Sequence, residues 1–238
     1  MRLIRTADAA LAAAVAADEV ADVCRRAAAE RGVAVIAVSG GETPWGMLER
    51  LRSLDLPWRH LYVAQVDERV ASRGDPRRNL ARLEQILVTQ GPLPRDNLLA
   101  MPVEADDLDV AAAGYQQRLE ALAGRPLVLD LVQLGLGADG HTASLVPGDP
   151  VLDVADRDVA ISHQYQGLPR MTLTLPALDR ARRRLWLVTG AAKAARAAEL
   201  LAGRAATDAP ALRVTRNEAA LIADEAALAL ATADPPRE

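Results

Sequence analysis

The 238-residue chain reads as an α/β fold built on a mainly parallel sheet. Three observations lead there. Residues 33–38 (VAVIAV) and 127–134 (LVLDLVQL) are near-continuous apolar runs, as strands covered on both faces are. Such runs alternate with helical stretches of ten or more residues, the pattern of βαβ units. Each run then breaks into a glycine-rich turn, at the strand end where open α/β sheets hold their ligands.

In chain order, residues 7–30 are alanine-rich with charges at helical spacing, and Gly32 stops that helix. The strand 33–38 runs into Ser39-Gly40-Gly41-Glu42-Thr43-Pro44. A helix is expected over 45–54, with Pro44 in its first turn, where its missing N–H is harmless. A second strand, 61–66, ends in Asp67-Glu68-Arg69, followed by a loop and a helix over about 77–88. A short strand at 97–101 and a helix at 105–122, closed by Gly124, precede the strand 127–134.

After Pro147 the segment GDPVLDVADRD is acidic and proline-broken, hence a loop. Short strands are expected at 159–162 and 171–175. The second alternates Thr172 and Thr174 with apolar residues, which suits a half-exposed antiparallel or edge strand. Residues 184–189 form a further strand and 191–201 a helix, with a strand at 219–222 and a helix at 224–231 to finish. There is no internal repeat, low-complexity linker or break in composition, so residues 1–238 are expected to form a single domain.

Half the residues are hydrophobic and a quarter charged, ordinary for a globular chain. A net charge of −4 argues against a general nucleic-acid binder, so an anionic ligand must be met by local cations. The single cysteine, Cys24, excludes an internal disulfide and suits a reducing compartment. Arg2 and Arg5 before an alanine run faintly imitate a signal sequence. Asp8, Asp18 and Glu19 interrupt that run, which points to a cytoplasmic protein without a membrane partner.

The turn Gly135-Leu136-Gly137-Ala138-Asp139-Gly140 spells G-x-G-x-x-G, a dinucleotide signature. Its context fails, because that signature must open a long helix, and here the chain stops at Pro147. No dinucleotide cofactor is expected. His141, two residues after Asp139 in the same turn, is the better lead, since histidine titrates near neutrality and a carboxylate can orient its ring. His60 reads as a strand-entry residue and His163 as a loop residue.

The turn Ser39–Thr43 suits a phosphate. Glycines let backbone N–H groups converge at a helix start, with the Ser39 and Thr43 hydroxyls beside them. The plainer alternative is an N-cap in which Thr43 caps the helix. Among the cations, Arg69 follows a strand, Arg170 precedes one, and Lys193, the only lysine, lies at a helix start where a bound anion would favour it. Asp67 and Glu68 either pair with Arg69 or face ligand hydroxyls.

Taken together, these pieces resemble the 6-phosphogluconolactonase family. The matching runs are AVSGGETP (37–44), VDERV (66–70) with Asn79, LGLGADGHTASLVPG (134–148), RMTLTLPAL (170–178), LVTGAAKA (187–194) and APALRV (209–214), in order over nearly the whole chain. The resemblance implies a three-layer, Rossmann-like α/β domain. It also implies a metal- and cofactor-independent hydrolase turning 6-phosphogluconolactone into 6-phosphogluconate, in the pentose phosphate pathway. On it, His141 is the acid/base, assisted by Asp139. Arg69 and Lys193 contact the substrate, and Ser39, Gly40, Gly41, Thr43, Asp67, Asn79 and Arg170 complete the sugar-phosphate site. A monomer or weak homo-oligomer is expected.

Glucosamine-6-phosphate deaminases resemble the chain too, but carry a glutamate five residues after the matching histidine. Here that position is Val146, which cannot shuttle a proton. A sugar-phosphate-binding regulator is the non-enzymatic alternative, without a helix-turn-helix candidate or basic patch behind it. Two departures from the lactonase pattern stand out, Arg78 before Asn79 and Glu42 in the glycine loop. An acid beside a phosphate cradle repels it, so Glu42 is expected to point away.

Overall fold

The structure is a computed structural model that describes residues 1–203 and 209–231. Its elements follow as β1 (Arg2–Thr6), α1 (Ala9–Arg31), β2 (Ala34–Val38), α2 (Glu42–Leu51), β3 (Leu61–Gln65), β4 (Asp67–Arg69), α3 (Asn79–Leu83), β5 (Leu98–Leu99) and α4 (Leu108–Ala123). Then come β6 (Leu131–Leu134), β7 (Val159–Tyr165), β8 (Leu168–Leu173), α5 (Leu175–Arg180), β9 (Arg184–Val188), α6 (Ala194–Ala202) and β10 (Ala219–Asp224).

Seven strands form one sheet, in the order β1-β10-β9-β6-β2-β3-β5, with every pair parallel. From β2 the chain winds outward through β3 and β5. It then crosses back to β6 and winds the other way through β9 and β10. The reversal falls between β2 and β6, paired at Ile36↔Leu131 and Ala37↔Val132. A crevice at the carboxyl ends of such strands is the expected ligand site.

Burial on both faces explains the unbroken apolar runs: all five residues of β2 are buried. Its side chains alternate between two cores. Ala34, Ile36 and Val38 pack with α1 and α2, while Val35 and Ala37 pack with Tyr115 and Leu119 of α4 and Leu200 of α6. Helix, sheet and helix thus make three layers. Along α1, Ala12, Ala16, Ala17, Val20, Cys24 and Ala27 line the buried face, and small side chains let a 23-residue helix lie close on the sheet. The Asp8 side chain caps its start by accepting from the Leu11 N–H at 2.7 Å, and Gly32, at φ 76°, ends it.

Three charged residues do what propensity argues against. Asp67-Glu68-Arg69 is a strand, β4, in a small antiparallel sheet of order β4-β8-β7. β8 is therefore its central strand, and Thr172 and Thr174 are fully buried rather than half-exposed. The Thr172 hydroxyl accepts from Ser144 N–H and donates to the Leu173 carbonyl, and Thr174 donates to the Arg157 carbonyl. Those partners remove the need for water.

Other expectations shift. β1 is an edge strand that its two arginines conceal in the sequence. α2 begins three residues early, at Glu42, because Gly41 is its cap. The helix expected at 77–88 starts at Asn79 and continues from Glu84 to Thr89 as a π-helix. His163 lies in β7, exposed, not in a loop. No helix forms at 224–231. Asp224 ends β10, and its carboxylate is shared between Gly190 N–H at 2.9 Å and Ala227 N–H at 2.8 Å, after which residues 225–230 form turns.

Candidate active site

The crevice between β2 and β6 opens into a cleft of about 310 Å³. Its lining includes Ser39, Gly40, Gly41 and Thr43 after β2, and Asp67 and Arg69 from β4, with Asn79 at the start of α3. His141 comes from the turn after β6, Arg170 from β8, and Lys193 from the 3-10 turn Ala191–Lys193 before α6. Residues spread over 150 positions of sequence meet there because five strand or helix ends do. Of the expected site residues only Asp139 stands behind the lining.

Asp139 touches His141 instead. Its Oδ1 lies 2.5 Å from His141 Nδ1 and also accepts from the His141 backbone N–H at 3.2 Å. Partial burial acts to raise the Asp139 carboxyl, but hydrogen bonds from His141 and Tyr165 outweigh it and hold the group below its ordinary value. An ionised Asp139 fixes the proton on Nδ1. The imidazole Nε2 then presents a lone pair, the arrangement a general base requires.

Tyr165 is the residue that the sequence did not reveal. Its hydroxyl donates to Asp139 Oδ2 at 3.1 Å and lies 3.4 Å from His141 Nδ1. It sits at the end of β7, outside every glycine turn and every matched run, so only the hairpin geometry could have pointed to it.

The cation side is built around a buried acid. Glu68, with no exposed surface, accepts from the N–H groups of Arg69, Asn79 and Leu80, each at 2.8 Å, and from the Gln65 amide at 2.9 Å. It thus caps α3 from a distant strand and does not face the cleft. Arg78 explains itself in the same cluster: its buried guanidinium lies 3.6 Å from Glu68 and 3.1 Å from Glu104. Asn79 is held by donating to the Asp67 carbonyl and accepting from Arg69.

Arg170 is buried beside Asp67, its Nη1 3.7 Å from the carboxylate, which also accepts from the Ser144 hydroxyl at 2.6 Å. Burial, only partly offset by Asp67, pulls the guanidinium below its ordinary value. Its Nε has no acceptor among the described residues. Lys193 has no ion-pair partner among them. An Arg170 Nε without an acceptor and an unpaired Lys193 in one cleft suit an anionic ligand.

The glycine loop carries less through side chains than expected. Ser39 donates its hydroxyl to the Gln133 carbonyl at 3.0 Å, and Thr43 shares a 2.7 Å hydrogen bond with Thr189, so Thr43 is no N-cap. The N–H groups of Gly40 and Gly41 bond to no acceptor among the described residues, leaving backbone donors open at the start of α2. Glu42 borders the cleft and is exposed, in the first turn of α2, where the helix dipole favours an acid and water screens its charge.

The family described as glucosamine-6-phosphate isomerases/6-phosphogluconolactonase matches residues 7–223. The chain belongs to that family. Within the glucosamine-6-phosphate isomerase/6-phosphogluconolactonase family, a 6-phosphogluconolactonase of Synechocystis sp. is 39% identical over 184 residues, covering 76% of each chain. The 6-phosphogluconolactonase structure from Trypanosoma cruzi is 23% identical and covers 98% of this chain and 97% of its own, with a TM-score of 0.86. A monomeric glucosamine-6-phosphate deaminase, 20% identical, covers 97% and 100% with a TM-score of 0.84. At those identities the two structures establish the shared fold alone, and it is relatives such as the Synechocystis protein that support lactone hydrolysis. No helix among the described residues is long and apolar enough to cross a membrane, and no group of three or more His, Cys, Asp or Glu among them is placed to hold a metal ion.

Proposed function

We propose that the chain hydrolyses 6-phosphogluconolactone to 6-phosphogluconate. One observation carries the reading: His141, with Nδ1 held by Asp139 and Nε2 without a partner among the described residues, shares a cleft with Arg69, Arg170 and Lys193. His141 takes a proton from water as the water oxygen attacks the lactone carbonyl. The C–O bond to the ring oxygen then breaks, and that oxygen receives the proton from the imidazolium. Such assistance is worth about 10²–10⁴ in rate. The cations, the open N–H groups of Gly40 and Gly41, and Ser39, Thr43, Asp67 and Asn79 hold the sugar phosphate, so binding far from the carbonyl orients it.

Val146 supports hydrolysis over deamination, because a half-buried apolar side chain stands where a second proton carrier is needed. We assign the activity to one domain spanning the chain, acting as a monomer or weak homo-oligomer in the cytoplasm. The single buried Cys24 accords with a reducing compartment.

The deciding experiment offers the purified protein fresh 6-phosphogluconolactone and, separately, glucosamine 6-phosphate. Lactone turnover well above the spontaneous rate, reduced at least about 10²-fold in His141→Asn, is expected. Ammonia release from the amino sugar, or a His141→Asn variant as active as wild type, refutes the reading.

A further inference from the structure

We infer that Tyr165 is a positioning residue that aims the Asp139 carboxylate at His141, an assignment that rests on His141 being the proton-transfer group. Tyr165 does not line the cleft, so it acts through its neighbours. Both oxygens of Asp139 are engaged: Oδ1 by His141, and Oδ2 by the Tyr165 hydroxyl at 3.1 Å. The Asp139 side chain is 39% exposed and sits in a glycine-rich turn, so packing alone does not fix its rotation. Without the tyrosine hydroxyl only Oδ1 is held, by the His141 ring and the His141 backbone N–H, so Oδ2 turns to water and the aim of the carboxylate at Nδ1 loosens.

The hairpin is shaped to deliver this contact. The β7–β8 pairing shifts register between Ser162 and Tyr165, and such irregularities re-aim side chains beside functional sites. The turn that follows uses Gln166 at φ 53° and Gly167 at φ 82°, so the hairpin closes in two residues and Tyr165 pairs with Leu168. The ring is then held from two sides. The His141 ring lies 5.1 Å away, tilted by 59°, and the Arg170 guanidinium carbon sits 5.1 Å from the ring centroid. Arg170 also donates to the Tyr165 carbonyl and to Gln166. Burial and the nearby Asp139 charge raise the phenol, which keeps it protonated and able to donate.

The test is Tyr165→Phe, which keeps the ring beneath Arg170 and deletes only the donor. The charged and titratable groups around His141 are Asp139 and Tyr165 at its ring, with Asp67, Arg69, Arg170 and Lys193 in the same cleft. Nitrogen-15 NMR of the His141 ring in the ligand-free protein should show the Nδ1-protonated tautomer giving way to a mixture, because a loosened carboxylate no longer holds the proton on Nδ1. With lactone, kcat should drop roughly tenfold, the scale of one hydrogen bond to a charged group, with KM nearly unchanged. In an Asp139→Ala background, Tyr165→Phe should alter neither readout further.

An unchanged His141 tautomer overturns the assignment, and so does a loss that persists in full without Asp139. If the wild-type protein does not turn over lactone, the functional reading fails, while the imidazole tautomer still decides the role of Tyr165.

Discussion

A Cβ placed on Gly137 would stand 2.0 Å from His141 Nδ1. The same atom would lie 2.3 Å from His141 Cε1 and 2.5 Å from Asp139 Oδ1. Gly137 therefore has no side chain because the His141–Asp139 pair occupies its place. The middle glycine of a dinucleotide-like motif here admits an imidazole, where a nucleotide site would admit a pyrophosphate.

Gly137→Ala should accordingly disable the site without unfolding the protein. Gly137 is not among the positive-φ residues, and the three nearest atoms to its Cβ all belong to the His141 and Asp139 side chains. We expect kcat to fall on the order of 10²-fold, the cost of displacing a reacting group by about an ångström, with an unchanged circular dichroism spectrum. Near-wild-type turnover would show that the pair has room to move.

Acid should weaken the pair in a defined direction. The Asp139 carboxyl lies below its ordinary value of 3.8, so its interactions stabilise the fold above that pH and are lost as pH falls through the lower folded value. Asp139→Asn lacks this contribution at every pH. Melting temperatures of wild type and Asp139→Asn should therefore differ at neutral pH and converge in acid. A gap that persists below the folded value would mean the carboxylate charge is not its source.

Lys193→Ala separates binding from chemistry. Lys193 lines the cleft without an ion-pair partner among the described residues, so its loss should leave the melting temperature unchanged. KM for the phosphorylated lactone should rise roughly tenfold, as for a lost hydrogen bond to a charged group, with kcat little altered. An unaltered KM removes Lys193 from the phosphate site.

Glu68→Ala should be costly to the fold itself. Four donors and the buried Arg78 converge on that carboxylate, and removing one partner of a buried pair costs about 3–5 kcal/mol. Urea denaturation measures it. Glu68→Gln, which keeps an acceptor, should lose less. Equal stabilities for wild type and Glu68→Ala would contradict the capping role.

The readable parts of the sequence are those in which local chemistry and global position coincide. Ser39–Thr43 and Gly135–His141 follow largely apolar strands, and Gly40 and Gly137 are needed where they stand, as the 1.9 Å approach of a Gly40 Cβ to Asn79 shows. Asp67-Glu68-Arg69 misleads because its three charges conceal a strand, and because Glu68 is fully buried with its partners supplied by α3 and Gln65. Asp224 misleads in a related way. It has the chemistry of a helix cap, but Gly190 from the neighbouring strand end takes a share of it. Tyr165 is invisible because its contacts are 24 and 26 residues away and no motif marks a hairpin tip. Each failure involves a polar side chain whose partner is remote.

The adjacency of β2 and β6 bears on how such an active site can be altered. The loop that offers Gly40 and Gly41 and the loop that carries His141 hang from neighbouring strands, about 5 Å apart in any sheet. Their separation is written into backbone pairing and does not depend on any one side chain. β8 brings Arg170 to the cleft, and β4 and the start of α3 bring Arg69 and Asn79, all from outside that sheet. An engineer seeking a different sugar acid should vary the side chains those elements bring while keeping Tyr165, because the spacing between anion cradle and base rests on the sheet.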